Sequence, residues 1–210
     1  MRIAPWLLAA LCVAPVVRAQ GVIEWSGERQ LTKDDFKGRV PAAARNTALS
    51  SLNVDASWEC KGDALVATAR ATFDPGRSWW RSAQGNIWEG TERTSGVNRT
   101  HVDARRSALQ RDQQLLEHEQ LHFDLTEMAV RRIRTRLEEL KDACAEPGGT
   151  EGLQDEIVQI DRELQDEQRL YDRESNYGIN AAAQDQWRRK IRQQLDLSPR
   201  PQTPAPPRRR

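Results

Sequence analysis

The sequence is poor in histidine, in cysteine and in long apolar runs, and these shortages exclude several classes of protein. It contains three His and three Cys in 210 residues. Beyond the N-terminal segment, no stretch approaches the roughly 20 apolar residues that a membrane-spanning helix needs. Basic and acidic residues number 32 and 31, whereas a dedicated nucleic-acid binder carries a large basic excess. We therefore expect neither a nucleic-acid partner nor a stable membrane insertion of the mature chain.

The N-terminus has the pattern of a signal peptide. Arg2 precedes an apolar segment at residues 6–14, which is too short to span a bilayer, and residues 17–19 form a small-x-small cleavage site. Cys12 lacks the sequence context of a lipoprotein signal. The alternative is an N-terminal anchor that is retained. We predict that residues 1–19 are removed and that the mature protein is exported, either to the periplasm or out of the cell.

Two cysteines, Cys60 and Cys144, remain in that mature chain. An even number of cysteines in an exported protein most simply forms disulfides. Their wide separation would make such a bridge worth roughly 4 kcal/mol in the chain-entropy model. Zinc ligation by either thiol is the less favoured alternative, because neither belongs to a Cys-x-x-Cys pair. We predict a Cys60–Cys144 disulfide.

Two alternating runs predict an antiparallel β-hairpin in the first half. Apolar residues alternate with polar ones over residues 52–60 and again over residues 65–73, with a Lys-Gly-Asp turn between them. A short first strand is predicted at residues 22–25. Thr32 is placed to cap a single helical turn after it.

The second half predicts helices. Gly and Pro are absent from residues 103–143, where apolar residues recur at helical spacing. A Pro-Gly-Gly sequence at residues 147–149 should end this helix. A second helix is predicted over residues 152–173, with one apolar face and one charged face. A third is predicted over residues 181–195 and contains Trp187 and Ile191.

These elements predict an α+β protein, with a small antiparallel sheet preceding long helices. About 190 mature residues can bury one core, so we expect one domain over residues 20–197. Residues 20–100 are its β-rich part, and its helical part begins at residue 103. Residues 198–210 are rich in Pro and Arg and should be disordered, since they have too little apolar surface to offset the entropy of ordering.

The long helix carries the most informative motif, His118-Glu119-x-x-His122. This is the H-E-x-x-H pattern of zinc peptidases. Residues four apart lie on the same helix face, so both imidazoles can reach one ion. Glu119 is then placed beside the metal-bound water, from which it can take a proton as general base. The alternative is a surface helix that happens to carry His and Glu on a mixed face.

The chain resembles a bacterial family described as predicted secreted zinc-dependent proteases, a domain of unknown function. The resemblance covers most of the mature chain and implies a zincin-like metallopeptidase fold, with peptides or proteins as substrates and zinc as cofactor. It is carried by the segments Leu31-Thr32-x-Asp34-Asp35-Phe36-x-Gly38, Phe73 with Ser78-Trp79, Leu116-x-His118-Glu119-Gln120-x-His122-Phe123-Asp124-Leu125-x-Glu127, and Tyr171-Asp172-Arg173-Glu174 with Gly178-x-Asn180, Gln184 and Trp187.

The third metal ligand is where this chain departs from the family. A His usually precedes the Gly of the last segment, and here that position is Tyr177. Three alternatives remain open. The Tyr177 phenolate could bind the ion, Asp172 or Glu174 could supply a carboxylate, or the site has weakened and no longer turns over substrate. His101 is a minor fourth candidate.

The resulting prediction is an exported zinc metallopeptidase that uses Glu119 as general base. Asp124 and Glu127 are candidates to orient the ligating imidazoles, although helix-surface charges are an equal alternative. Tyr177, if it is not a ligand, could donate a hydrogen bond to the oxyanion. The rival prediction is a non-catalytic exported binding or scaffold protein that has kept the fold with a degraded metal site.

Overall fold

The chain is an α+β protein in which a small antiparallel sheet is followed by three helices. The structure, a computed structural model, describes residues 21–81 and 99–197, without the side chains of residues 99–106 and 197. The predicted signal peptide and the predicted Pro/Arg tail lie outside the described residues. The fold class agrees with the sequence prediction.

The sheet is built around the predicted hairpin. The five strands are β1 (Ile23–Glu24), β2 (Ala48–Leu49), β3 (Leu52–Lys61), β4 (Ala64–Phe73) and β5 (Trp79–Trp80). Three of them form one antiparallel sheet in the order β1-β4-β3. Gly62, with a φ of 64°, occupies the tight turn between β3 and β4, where a left-handed conformation favours glycine. A separate two-stranded sheet pairs β2 with β5.

The three predicted helices are all present, as α1 (Arg99–Glu139), α2 (Leu153–Ser175) and α3 (Ala181–Leu197). Helix α1 is 41 residues long and ends four residues before the predicted boundary. The chain leaves the helix there because the Lys141 carbonyl accepts a hydrogen bond from the backbone N–H of Leu65 at 2.8 Å. None of the helices in the described ranges is long and apolar enough to cross a membrane.

The predicted disulfide is confirmed. Cys60, near the end of β3, is bonded to Cys144, in a short 3₁₀ turn that follows α1, with a Cα–Cα distance of 5.7 Å. The bridge joins the hairpin to the chain immediately beyond α1. It therefore holds the sheet against the C-terminal end of that helix.

Helix α1 is the central element, because it buries two different faces. One face packs against the sheet and includes Phe123 and Ile133. Another packs against α2 and α3 and includes Leu125, which lies in a cluster with Tyr171 and Ile191. The apolar residues that recur along α1 at helical spacing are thus divided between two layers. His118 and His122 lie on the side that faces α2.

Buried ion pairs tie the layers together. Glu127, 1% exposed, accepts hydrogen bonds from Arg131 at 2.9 Å and from Arg134 at 2.8 Å. Arg134 also donates to the Ala69 carbonyl in β4 at 2.8 Å, and Arg131 donates to the Leu195 carbonyl in α3. Removing one member would strand a buried charge, which is far more costly than losing an exposed ion pair.

Candidate metal centre

Three potential metal ligands from two helices converge on one point. His118 and His122 project from adjacent turns of α1, and Asp172 projects from α2. The Oδ1 atom of Asp172 lies 3.1 Å from Nε2 of His118 and 2.9 Å from Nε2 of His122, while the two Nε2 atoms are 3.1 Å apart. Among the described residues, this is the group of three or more His, Cys, Asp or Glu side chains that could hold a metal ion.

Oδ1 of Asp172 and Nε2 of His118 and of His122 form a triangle whose size and chemistry fit zinc. Ligands at the usual 2.0–2.1 Å from a tetrahedral zinc are separated from one another by about 3.3 Å. The three edges of the triangle, 2.9 to 3.1 Å, would need to lengthen by only a few tenths of an ångström. Two imidazole nitrogens and one carboxylate oxygen are a ligand set found in zinc hydrolases. The residues present therefore fit the ion.

The second nitrogen of each imidazole faces a hydrogen-bond partner on α2. Nδ1 of His122 meets Oε1 of Gln168, and Nδ1 of His118 lies 3.5 Å from the Ser175 hydroxyl. Gln168 is itself held, because its amide nitrogen donates to the Thr126 hydroxyl at 3.2 Å. Such partners fix the tautomer of a ligating histidine so that Nε2 is free to bind a metal.

Neither Gln168 nor Ser175 was among the residues predicted from the sequence. Their spacing could have indicated them, since residues 168, 172 and 175 lie on one face of α2. Thus the helix that supplies the carboxylate also supplies both imidazole partners.

Charge complementarity within the cluster shifts two pKa values. Burial disfavours the charged form of Asp172, but the hydrogen bonds and charges of His118 and His122 outweigh it and hold the pKa of Asp172 well below its usual range. Burial likewise disfavours protonated His122, but Asp172 and Glu119 outweigh it and raise the pKa of His122. Asp172 is therefore an anion throughout the physiological range, as a metal ligand must be.

Tyr171 forms an apolar wall behind the imidazoles. Its ring stacks on His118 at a centroid distance of 4.6 Å and meets His122 edge-on at 4.9 Å. Tyr171 is fully buried, and this burial raises the pKa of its phenol far above the usual value. The hydroxyl therefore stays neutral, and the ring restricts both imidazoles by packing.

The loop between α2 and α3 approaches the site closely at Gly178. Its φ is 80°, and a Cβ atom there would lie 3.1 Å from Cβ of His118 and 3.0 Å from Oε1 of Gln184. A larger residue at this position would be strained in its backbone and would press on a candidate ligand.

Glu119 lies beside the triangle and is positioned by the β part of the chain. Ser50, between β2 and β3, donates a hydrogen bond to Oε2 of Glu119 at 2.5 Å. No partner of Oε1 is found in the part of the chain that the structure describes. Glu119, His118, His122 and Asp172 all line one open cleft of about 550 Å³. The site is therefore accessible to a ligand from solvent.

The two other candidates for the third ligand are placed differently. Tyr177 lines the same cleft but lies outside the triangle, with its side chain 57% exposed. Glu174 points elsewhere, since Oε2 accepts a hydrogen bond from Nε1 of Trp187 at 2.8 Å. Residues 172 and 174 are separated by roughly 200° around a helix, so only one of them can face α1. The side chain of His101 lies outside the described residues.

Asp124 and Glu127, the candidates for orienting the imidazoles, bond to other groups. Asp124 accepts hydrogen bonds from Nε1 of Trp25 and Nε2 of Gln120, each at 2.8 Å, and burial raises the pKa of Asp124. Glu127 is the centre of the buried ion pairs with Arg131 and Arg134. Both carboxylates therefore join α1 to its neighbours, and the imidazole partners are on α2.

Comparison with known proteins gives one family match. The model of a family described as "Bacterial protein of unknown function (DUF922)" matches residues 93–178. No curated protein and no solved structure matches the chain. The matched range contains the whole triangle and Glu119, and the family's description names no activity. Residues 93–178, which carry the candidate metal centre, are thus similar to a bacterial family of unknown function.

Proposed function

We propose that the protein is an exported zinc-dependent metallopeptidase with a zincin-like architecture. The observation that carries this proposal is the convergence of His118, His122 and Asp172 next to Glu119 in an open cleft. An H-E-x-x-H helix alone offers two ligands, and the carboxylate from α2 completes a set of three. Such a set leaves a fourth position for water or substrate, as in catalytic zinc sites.

Zinc, when bound by these side chains, would supply the Lewis acidity that lowers the pKa of a water molecule and polarises a peptide carbonyl. Glu119 would accept a proton from the attacking water and pass it to the leaving amine. Its Oε1 atom is the oxygen placed to do this, because Oε2 already accepts a hydrogen bond from the Ser50 hydroxyl.

Tyr177 is the candidate for stabilising the developing negative charge. It lines the cleft beside the triangle, and the residue is 57% exposed, so that a substrate can approach it. Tyr177 and Asn176 both have left-handed backbones, with φ values of 53° and 49°. Residues held in such sparsely populated conformations are concentrated at functional sites. We assign the Tyr177 hydroxyl as a hydrogen-bond donor to the carbonyl oxygen of the scissile bond.

The position of Asp172 also favours this proposal over a scaffold with a degraded site. The scaffold alternative drew its support from the long charged helices, from the Pro/Arg tail and from the missing family His, which left the ion with two ligands. Asp172 offers the third, and Gln168 and Ser175 place hydrogen-bonding groups behind both imidazoles. A helix pair that served only as a docking surface would not need this arrangement of buried polar groups.

Zinc stoichiometry tests the proposal. The mature protein is dialysed against micromolar free zinc and its metal content is measured by mass spectrometry, for the wild type, Asp172→Asn, Glu174→Gln and Tyr177→Phe. We expect about one zinc per chain in the wild type, in Glu174→Gln and in Tyr177→Phe. Asp172→Asn should bind zinc more than about a hundredfold more weakly, because a direct ligand contributes more than an outer partner. A wild type without zinc would refute the proposal.

A further inference from the structure

The charges that line the cleft are divided by function. Its acidic residues are Glu119 and Asp172, which the proposed function uses as base and ligand. Its remaining charged residues are both cations, Arg45 in the segment before β2 and Arg169 on α2. Apart from the two acidic groups that the proposed function uses, the charged side chains of the cleft lining are therefore positive.

The two guanidinium groups are available to a ligand. Arg45 is exposed and has no hydrogen-bond or ion-pair partner within the described ranges. Arg169 lies three residues before Asp172 and so on the same face of α2. Among the residues that the structure describes, its one partner is Asp166, in an ion pair in which the Arg169 side chain is 61% exposed. Exposed ion pairs of this kind contribute little and exchange easily. Arginine presents a planar fork that matches a carboxylate with two hydrogen bonds.

The cleft that these arginines line also has exposed apolar residues. Leu49, Tyr177 and Ile179 line the same cleft and are 40%, 57% and 74% exposed. Large apolar side chains at the mouth of a polar cleft favour a ligand with an apolar side chain.

We propose that the cleft selects peptides that carry a carboxylate beside an apolar residue, and that Arg45 and Arg169 recognise this carboxylate. That such peptides are cleaved rests on the proposed function, whereas their binding does not. The carboxylate can belong to an acidic side chain or to the C-terminus of the peptide. Both sources offer the same planar anion, so they must be separated by experiment.

Equilibrium binding separates them. The mature Glu119→Gln protein, which should not turn over substrate, is loaded with zinc and titrated into three fluorescent, Leu-containing peptides. The first has Glu next to Leu and an amidated C-terminus, the second has Gln at that position and a free C-terminus, and the third has Gln and an amidated C-terminus. Fluorescence anisotropy at low ionic strength gives each Kd. The titrations are repeated after addition of a chelator.

We expect at least one carboxylate peptide to bind about tenfold more tightly than the neutral third peptide, and the tighter of the two identifies the source. In the Arg45→Gln/Arg169→Gln background this ratio should fall below about threefold, and added salt should lower it in the parent protein. Arg162→Gln, at an exposed arginine of α2 outside the cleft, is the matched control and should keep the ratio.

Three outcomes would overturn the inference: equal binding of the three peptides, no binding of any, or a preference that chelator removes and the arginine substitutions do not. In the last case a metal ion, and not the arginines, would bind the carboxylate. If the protein binds no zinc but prefers the carboxylate peptides through the arginines, this inference stands and the proposed peptidase function falls.

Discussion

Replacement of Gln168 by Ala tests whether α2 orients the metal ligands as well as contributing one. Oε1 of Gln168 faces Nδ1 of His122, and its amide nitrogen is held by the Thr126 hydroxyl at 3.2 Å and by the His122 carbonyl at 3.4 Å. Alanine removes the acceptor that fixes the tautomer of His122 and the direction of Nε2. Outer partners of this kind typically contribute a factor of about 10 to 100 in metal affinity.

We expect the effect of Gln168→Ala on metal affinity to lie at the lower end of that range. The side chain is half-buried, so water can partly replace its carbonyl after the substitution. We expect zinc affinity to fall about tenfold to thirtyfold, which corresponds to about 1.4–2 kcal/mol. The free energy of unfolding of the metal-free protein should fall by about 1–2 kcal/mol, since three partly exposed hydrogen bonds of this side chain are lost.

The assay is a competition titration with a chromophoric zinc chelator at fixed pH, for the wild type, Gln168→Ala and Gln165→Ala. Gln165 is exposed, lies on the same helix and lines the same cleft, and the hydrogen bonds of the two imidazoles go to other residues. The Gln165→Ala variant should keep the wild-type affinity. An unchanged affinity in Gln168→Ala, or an equal loss in Gln165→Ala, would refute the reasoning that this hydrogen bond orients His122.

Four further predictions concern the site and its support. Glu119→Gln should bind zinc as the wild type does and lose hydrolysis of a fluorogenic protein substrate by at least about a hundredfold; retained hydrolysis would remove Glu119 as general base. Gly178→Ala should lower the free energy of unfolding by about 2 kcal/mol, measured in urea, because alanine is strained at a φ of 80° and presses on the imidazole behind it. Cys60→Ser should cost roughly 4 kcal/mol in the same assay, because the disulfide closes a loop across 84 residues. The fourth prediction concerns pH. Without metal, the raised pKa of His122 contributes stability that is fully present below about pH 6.5 and is lost as the pH rises, while the lowered pKa of Asp172 contributes stability above about pH 3.8. The melting temperature of the metal-free protein should therefore fall from pH 5 to pH 8, as the His122–Asp172 pair weakens. Zinc affinity should rise over the same range, because the imidazoles must be deprotonated to bind the metal.

Most of the fold could be predicted from local patterns. The alternating residues of the hairpin and the uninterrupted helical spacing of α1 require only neighbours in sequence, and both elements are present near their predicted bounds. The end of α1 was placed too late because it depends on a distant contact, the hydrogen bond between Lys141 and Leu65. A terminus fixed by another part of the chain has no local sequence pattern.

The candidate site, like the fold, could be predicted only where it depends on local sequence. The pair His118 and His122 could be predicted because i,i+4 spacing is a property of one helix. The choice between Asp172 and Glu174 could not, since it depends on which face of α2 packs against α1. The buried positions Leu164 and Tyr171 mark that face, and Asp172 is adjacent to it. Ser50, which positions Glu119 from 69 residues away, could not be found from spacing at all.

The division of the site between elements has a thermodynamic consequence. The proposed zinc ion would bind ligands on α1 and α2, so the free energy of binding must also stabilise the packing of one helix on the other. Glu119, in contrast, is held by the segment between β2 and β3 through Ser50. The metal would therefore stabilise the helical layer directly, while the alignment of the proposed general base would depend on the sheet layer. Loss of the Cys60–Cys144 bridge, which joins those layers, should for this reason impair hydrolysis more than it impairs zinc binding.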